Sequence, residues 1–118
     1  MSNTPNVYVY TRARTREEAK MKESVIEARL VREVKKRGGL CYKFTSPGTA
    51  GVPDRIIILP GGRVVFVELK TEIGRLAKIQ KRQIDEIRTR GADVRILKGL
   101  DQVLEFLKEV DSGGIQTA

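Results

Sequence analysis

Two runs of β-branched residues, 55–59 and 63–69, are separated only by Pro60-Gly61-Gly62. Runs of this length and composition are typical of strands, and a short connection containing glycine predicts an antiparallel hairpin. Because hydrophobicity is nearly continuous along both runs, we expect central strands that are covered on both faces. The hairpin therefore constrains the centre of the fold more strongly than any other feature of the chain.

The segments around the hairpin predict helices and strands in a definite order. Ile26, Leu30 and Val34 recur every fourth residue, which favours an amphipathic helix over residues 15–37 that Gly38-Gly39 ends. The further elements expected are a strand over 40–45, a helix over 76–90, a strand over 92–97 and a last helix that Asp101 could cap. This order predicts an α/β fold with a central mixed sheet flanked by helices.

Composition limits the class of protein. A chain of 118 residues with 40% apolar and 32% charged residues is typical of one globular domain. Its 23 Lys and Arg against 15 Asp and Glu give a net charge of +8, which favours a polyanionic partner such as nucleic acid. Basic residues on a helix surface, however, often contact only water and bind no partner. No apolar run reaches the roughly 20 residues of a membrane span, and we expect a cytoplasmic protein without membrane contact.

Cysteine and histidine usage excludes several kinds of site. Cys41 is the only cysteine and lies in an apolar run, so an intrachain disulfide or a thiolate metal cluster is excluded, and a buried structural thiol is the simpler interpretation. The absence of histidine excludes imidazole catalysis and histidine metal ligands. If the chain is an enzyme, carboxylates and lysines must carry the chemistry.

Asp54, Glu68 and Lys70 flank the predicted hairpin strands. Thirteen residues separate the two acids, and alternation places Glu68 and Lys70 on one face at the end of the second strand. Asp54 opens the first strand, so an antiparallel hairpin brings both acids together. Two adjacent carboxylates repel each other unless a cation offsets the charge, which suggests a hard divalent metal. A salt bridge between an acid and Lys70 at the strand end is the alternative.

Polar residues on the apolar faces of both helices add to this group. At about 100° per residue, Glu27 points along the stripe formed by Leu30 and Val34, and Glu23 one turn earlier competes for the same role. Gln80 and Gln83 occupy the corresponding face of the second helix. A buried amide needs a hydrogen-bond partner, so Gln80 either supports a catalytic carboxylate or is satisfied elsewhere in the core.

The helical acid, the Gly51-x-Pro53-Asp54 turn, the Glu68-x-Lys70 strand and the following Gln80 together resemble the PD-(D/E)xK nuclease superfamily. More closely, the chain resembles the VRR-NUC (virus-type replication-repair nuclease) domain in a stand-alone, phage-like form. The resemblance covers about residues 22–110 and includes the stretch from Lys43 to Gly48. One departure is Gln83, where some members carry a bulky aromatic three residues after the glutamine.

The resemblance implies a site and a cofactor. Asp54, Glu68 and the backbone carbonyl of Leu69 would bind Mg²⁺ or Mn²⁺, with Glu27 reaching the metal directly or through water. Lys70 would position and help to deprotonate the attacking water, and Gln80 would orient Glu27 or a metal-bound water. Lys43 and Ser46 are the expected DNA contacts.

It also implies a domain organisation and a substrate. We expect an extension over residues 1–20, a nuclease domain over 21–110 and a tail over 111–118. The expected activity is metal-dependent, structure-selective DNA cleavage, of the kind performed by a homodimeric Holliday junction resolvase. If a phage encodes the chain, we expect it to act in the cytoplasm of the host cell. A flap, nick or restriction-type nuclease and a non-catalytic nucleic-acid-binding module are the alternatives.

Overall fold

The computed structural model describes residues 16–113, with side chains from Glu23 onward. Its elements are α1 (Arg16–Lys36), β1 (Leu40–Lys43), β2 (Arg55–Ile58), β3 (Val64–Lys70), α2 (Lys78–Thr89), β4 (Asp93–Lys98) and α3 (Gly99–Asp111). This is the predicted order, and the predicted fold class is confirmed. The first helix begins inside the expected N-terminal extension. The remainder of that extension and most of the expected tail lie outside the described residues.

The four strands form one mixed sheet in the order β1-β2-β3-β4. Antiparallel pairing joins β1 to β2 and β2 to β3, and β4 lies parallel to β3. The predicted hairpin is present: the Leu59 amide donates to the Arg63 carbonyl at 2.8 Å, and the Gly62 amide donates to the Leu59 carbonyl at 2.9 Å. Gly61 and Gly62 both have positive φ, a conformation that glycine adopts without steric cost.

One face of the sheet carries the main core. Val65, Val67 and Leu69 point to this face, as the alternation along β3 requires, and each is at most 1% exposed. They pack with Leu30 of α1 and Phe106 of α3 in a continuous apolar cluster. Both helices therefore lie on the same side of the hairpin, and burial of this cluster is the main force that holds them there.

The opposite face is covered over only part of its width. Ile84 of α2 and Val94 of β4 are buried on this side, and α2 packs on β4. On β1 and β3, however, Leu40, Tyr42 and Val64 remain exposed. Within residues 16–113, the expectation that both hairpin strands are covered on both faces is therefore not met, because the helix that these residues place on that side, α2, packs mainly on β4.

Two element ends differ from the expectation. The first strand ends at Lys43 rather than Thr45, although the Phe44 amide still donates to the Asp54 carbonyl at 2.8 Å before the chain turns. The last helix begins at Gly99, so Asp101 lies in its first turn and is not the cap. Instead, the Gln102 side chain accepts a hydrogen bond from the Lys98 amide at 2.9 Å. No helix within residues 16–113 is both long and apolar enough to cross a bilayer.

Candidate active site

Asp54 and Glu68 lie side by side where β2 begins and β3 ends. The register pairs Arg55 with Val67, so the next residue pair along the two strands is Asp54 and Glu68. Asp54 extends this pairing with its side chain, whose Oδ2 accepts a hydrogen bond from the Leu69 amide at 2.9 Å. The hairpin turn, by fixing the register, thus places both acids at the same edge, as the sequence predicts.

The two oxygens of Glu68 have different surroundings, although the residue is only 1% exposed. Oε2 accepts a hydrogen bond from Gln80 Nε2 at 3.0 Å and lies 3.4 Å from Lys70 Nζ. Oε1 is buried and has no hydrogen-bond partner. A buried carboxylate oxygen without a partner is costly, so this is the atom of the site that a bound cation or water would best satisfy.

The electrostatics of the acid pair follow from burial and mutual repulsion. Burial and the charge on Asp54 together raise the pKa of Glu68 to about 7, although Lys70 opposes both effects. Burial also raises the pKa of Asp54, partly offset by the hydrogen bond from the Leu69 amide and by Lys70. Both carboxyl groups are thus held in an environment that disfavours their charge, which a bound cation would relieve.

Gln80 connects α2 to the acid pair. Its Oε1 accepts a hydrogen bond from the Ala77 amide at 2.9 Å, which satisfies one free donor at the start of the helix. The same side chain then donates from Nε2 to Glu68. The amide is therefore held at both ends, and it orients Glu68. Of the two expected roles, Gln80 contacts Glu68 rather than Glu27, and the contact with a metal-bound water stays a prediction.

Glu27 is engaged by a residue of β2. Its Oε2 accepts a hydrogen bond from Arg55 Nε at 2.9 Å, and the Arg55 side chain is 15% exposed. Arg55 shares the core face of β2 with Ile57. Sequence reasoning missed this residue, although a charge on the core face of an apolar strand is a signal that a partner must lie nearby.

Glu23 is electrostatically coupled to the acid pair. Burial and the charge on Asp54 raise its pKa, Lys70 lowers it, and Glu27 has a weaker raising effect. Glu23 in turn contributes to the raised pKa of Glu68. The helical acid expected beside the site is therefore represented by two residues one turn apart, of which Glu27 is engaged by Arg55.

The expected DNA contacts lie at the border of the site. Lys43 is exposed at the end of β1 and pairs in register with Arg55, the neighbour of Asp54. Ser46 is half-buried in the following loop, where its carbonyl accepts a hydrogen bond from the Thr49 amide at 3.0 Å. This loop continues to Gly51, whose backbone is so close to Ile79 that an added Cβ would lie 2.7 Å from the Ile79 carbonyl oxygen.

Two carboxylates, rather than three, form the centre of this site. Across the described part of the chain, no three Asp, Glu, Cys or His side chains are grouped so that they could hold a metal ion by themselves. The unpartnered Glu68 Oε1 beside Asp54 nevertheless fits a hard cation that completes its coordination with oxygens from backbone, water or substrate.

Comparison with known proteins identifies the family. The VRR-NUC domain model matches residues 14–101. The chain is 42% identical over 81 residues to "Putative nuclease p44" of Acyrthosiphon pisum secondary endosymbiont phage 1, a match that covers 69% of this chain and 87% of that protein.

Solved structures agree. A structure described as a VRR_NUC domain superposes with a TM-score of 0.70 at 32% identity, covering 74% of this chain and 95% of that one. A second, a VRR_NUC domain protein, has a TM-score of 0.60 at 18% identity over 75% and 86% of the two chains, and it supports the fold alone. The resemblance inferred from the sequence is confirmed, and the chain belongs to the VRR-NUC family of nuclease domains.

Proposed function

We propose that this nuclease domain is a metal-dependent, structure-selective DNA endonuclease that hydrolyses phosphodiester bonds. The observation that carries the proposal is the buried Glu68 Oε1, which lacks a partner beside a second carboxylate, Asp54. Such an arrangement is costly for folding alone. It is expected where a cation and a charged substrate complete the site.

The residues that would hold Mg²⁺ or Mn²⁺ are Asp54, Glu68 and the Leu69 carbonyl. The Leu69 amide donates to Asp54, and the amide and carbonyl of one strand residue point to the same edge. The Leu69 carbonyl is therefore directed to the Asp54 side of β3. Glu27 would contribute through water, since Arg55 already engages its carboxylate at 2.9 Å. When bound, the metal would polarise the phosphate and favour ionisation of water.

Lys70 is the cation that the chain itself supplies. Its Nζ lies 3.4 Å from Glu68 Oε2, and its side chain is 18% exposed. The ammonium is therefore partly desolvated and held close to the acids, where it can position the attacking water and stabilise the additional negative charge of the transition state. Gln80 fixes the carboxylate to which Lys70 is paired, so it acts as a positioning residue.

Substrate binding is assigned to Lys43 and Ser46. The net charge of +8 favours DNA, and Lys43 and Ser46 lie on the β1 side of the acid pair. Clustered acids at this position argue against a module that only binds DNA, because carboxylates facing a polyanion weaken binding. We propose a four-way junction as the substrate and a homodimer as the active form, since symmetric cleavage of two strands needs two sites.

A cleavage assay tests the proposal. Four-way junction, flap, nicked duplex, single-stranded and intact duplex DNA are incubated with Mg²⁺, Mn²⁺ or EDTA and wild type, Asp54→Ala or Asp85→Ala. Asp85 is an exposed acid of α2 and serves as the matched control. We expect junction cleavage with metal by wild type and Asp85→Ala, and none by Asp54→Ala.

Other outcomes discriminate between the alternatives. Preference for flap or nicked DNA would replace the junction assignment but keep the nuclease. Equal cleavage by Asp54→Ala would reject the assigned site. DNA binding without cleavage of any substrate, with either metal, would identify a non-catalytic binding module.

A further inference from the structure

Four basic side chains surround the start of α2, the helix whose Gln80 contacts Glu68. We call them the basic cluster; its members are Arg75 in the preceding loop and Lys78, Lys81 and Arg82 in the first two turns. All four residues are exposed. Lys81 and Arg82 follow Lys78 by three and four positions, so these three side chains share one side of the helix.

The basic cluster has no partner within the described part of the chain. None of its members forms an ion pair or a side-chain hydrogen bond there. The basic residues at the other end of the same helix are engaged: Arg88 donates to the Val94 carbonyl at 2.7 Å, and Arg90 pairs with Glu86 at 2.8 Å. On α2, the charges nearest Glu68 are therefore the ones that the fold leaves free.

The placement of these charges is unfavourable for the helix itself. The amino-terminal end of a helix carries a partial positive charge, which favours acids and disfavours lysine or arginine. The first turn of α2 contains no acid, and the acids Asp85 and Glu86 lie in the second half of the helix. Helix stability therefore does not explain the basic cluster.

Neutralising the acid pair does not explain it either. Burial raises the pKa of Glu68 and of Asp54, and the lysine that opposes the rise in both is Lys70. Gln80 Nε2 lies 3.0 Å from Glu68 Oε2, and a helix is about 10–12 Å across with its side chains. The helical members of the cluster thus lie on the order of 15 Å from the acids, beyond the roughly 8 Å over which charges act in physiological salt.

We infer that the basic cluster binds the phosphate backbone of the DNA strand beside the bond that is cut. The inference rests on the proposed function and adds a second contact surface to it. Phosphates of one strand follow each other at about 3.4 Å along the axis of the duplex, so about 15 Å corresponds to roughly four nucleotides. Such contacts position the DNA and carry no sequence information.

The basic cluster lies on the opposite side of the acids from Lys43. The acids lie at the ends of the two inner strands of the sheet, whereas Lys43 belongs to the outer strand β1 and α2 packs on the other outer strand, β4. A DNA strand that crosses the acid pair would therefore be held on both sides of the scissile phosphate. This arrangement suits hydrolysis of an internal bond rather than removal of terminal nucleotides.

Two contacts fix the start of α2 relative to the acids. Gln80 donates to Glu68, and the Ile79 backbone packs against Gly51, where an added Cβ would lie 2.7 Å from the Ile79 carbonyl oxygen. Gly51 belongs to the loop that leads into Asp54. The segments that carry both acids thus hold the helix start, so the basic cluster presents its charges at a constant distance from the site.

DNA binding in EDTA tests the inference without cleavage. The affinity of the full chain for duplex and four-way junction DNA is measured over a series of salt concentrations. Wild type is compared with a cluster variant, which combines Lys78→Gln, Lys81→Gln and Arg82→Gln. The control variant removes the same charges at the other end of the three helices and combines Lys35→Gln, Arg90→Gln and Lys108→Gln, all at exposed positions.

The cluster variant should bind DNA about 10- to 100-fold more weakly, and its slope of log affinity against log salt should become shallower by about 2 to 3. The control variant should keep the slope of wild type. The melting temperature of the cluster variant should be unchanged or higher, because the substitutions remove cations from the positive end of a helix. If the cluster variant does not fold, each single substitution should make the slope shallower by about 1.

Neutral methylphosphonates locate the contact on the DNA. Placed singly along the cleaved strand, they should weaken wild-type binding at positions within roughly four nucleotides on one side of the scissile bond. The same positions should cost the cluster variant nothing further, because the two changes remove one interaction and are not additive.

The remaining outcomes separate this inference from the proposed function. Equal losses of affinity in the cluster and control variants would mean that only net charge matters, and an unchanged slope in the cluster variant would make the cluster a solvated surface; either result overturns the inference. Hydrolysis by wild type together with either result keeps the nuclease. If wild type binds DNA through the cluster but hydrolyses none with either metal, the proposed function fails while the contact stands.

Discussion

Acidic and basic side chains meet at both ends of β3, but a buried carboxylate oxygen lacks a partner at one end, whereas the carboxylates are paired with arginines at the other. At the end of the strand, Glu68 is buried with one oxygen unpartnered, and its pKa is raised to about 7 by burial and by Asp54. Near its start, beside Val65, Asp93 accepts hydrogen bonds from Arg95 Nε at 2.6 Å and from Arg63 Nη2 at 3.3 Å.

We call the second group the distal network; it comprises Arg63, Asp93, Arg95 and Glu109. Arg95 binds Glu109 through both terminal nitrogens, at 2.9 and 3.0 Å, and this hydrogen bond lowers the pKa of Glu109. Burial alone would raise the pKa of Asp93, but the hydrogen bonds from Arg95 and Arg63 lower it overall. The comparison teaches that carboxylates paired with arginine stabilise the fold. The adjacent carboxylates Asp54 and Glu68 instead cost stability, and the proposed catalytic role is the reason for keeping them together.

The largest expected effect is that of Glu68→Gln. Glu68 is a proposed metal ligand, and its loss should reduce cleavage by more than about 100-fold, since even residues that only support metal ligands contribute roughly 10- to 100-fold. The free energy of unfolding in EDTA should be unchanged or higher, because a neutral amide is easier to bury than a charge. Cleavage kinetics and denaturant unfolding measure both. If Glu68→Gln lost stability markedly but cleaved normally, Glu68 would serve the fold rather than the activity.

Lys70→Ala should reduce cleavage by about 100-fold, the scale of a positioned group that helps proton transfer. Binding of Mn²⁺, measured by titration calorimetry, should remain, because Lys70 contacts the acid pair without being a ligand. Lys35→Ala, at an exposed position of α1, is the control. Unchanged cleavage by Lys70→Ala would refute its assigned role.

Asp93→Asn should show the opposite pattern to Glu68→Gln. It removes charge-assisted hydrogen bonds from a side chain that is 15% exposed, so stability should fall by about 1–3 kcal/mol. Cleavage at a temperature where both proteins are folded should stay within about two-fold, since Asp93 lies beside Val65, at the opposite end of β3 from Glu68. A large loss of activity would mean that the distal network also supports cleavage at the site.

The same residue gives a pH dependence with a defined sign. Because the pKa of Asp93 is lowered in the folded protein, its ionised form contributes stability above its ordinary value near 3.8, and this contribution is lost as the pH falls through the folded pKa. In EDTA, the stability difference between wild type and Asp93→Asn should therefore shrink below about pH 4. A difference independent of pH would mean that packing, rather than charge, explains the loss.

The smallest effect is expected from Lys43→Ala, at the border of the site. DNA affinity should fall a few-fold. The slope of log affinity against log salt should become shallower by about 1, the change expected for the loss of one phosphate contact. Lys108→Ala, exposed on α3, should leave the slope unchanged. An unchanged slope for Lys43→Ala would remove this residue from the DNA surface.

Much of the fold was predictable because the signals are local. The Pro60-Gly61-Gly62 turn fixed the hairpin register, and alternation along β3 correctly placed Glu68 and Lys70 opposite Val67 and Leu69. The misplaced start of α3 has a local reason as well: Gln102 satisfies the Lys98 amide, so the helix does not need Asp101 as a cap.

The side-chain pairing within the candidate site was less predictable. The helical wheel identified Glu27 and Gln80 as inward-facing but could not name their partners. Glu27 pairs with Arg55, 28 positions away in the chain, and Gln80 binds Glu68 rather than Glu27. These contacts depend on where each helix lies on the sheet, which periodicity does not specify. The catalytic roles assigned to these residues stay predictions.

The sequence by itself determined the element order, the hairpin and the meeting of Asp54 with Glu68, because periods of 2.0 and 3.6 residues and a tight turn act over short distances. Only the tertiary structure decided which Glu68 oxygen lacks a partner, how Arg55 engages Glu27, and that residues 16–113 leave Leu40, Tyr42 and Val64 exposed. Each of these depends on the placement of helices distant in sequence, which is set by the packing of the whole core.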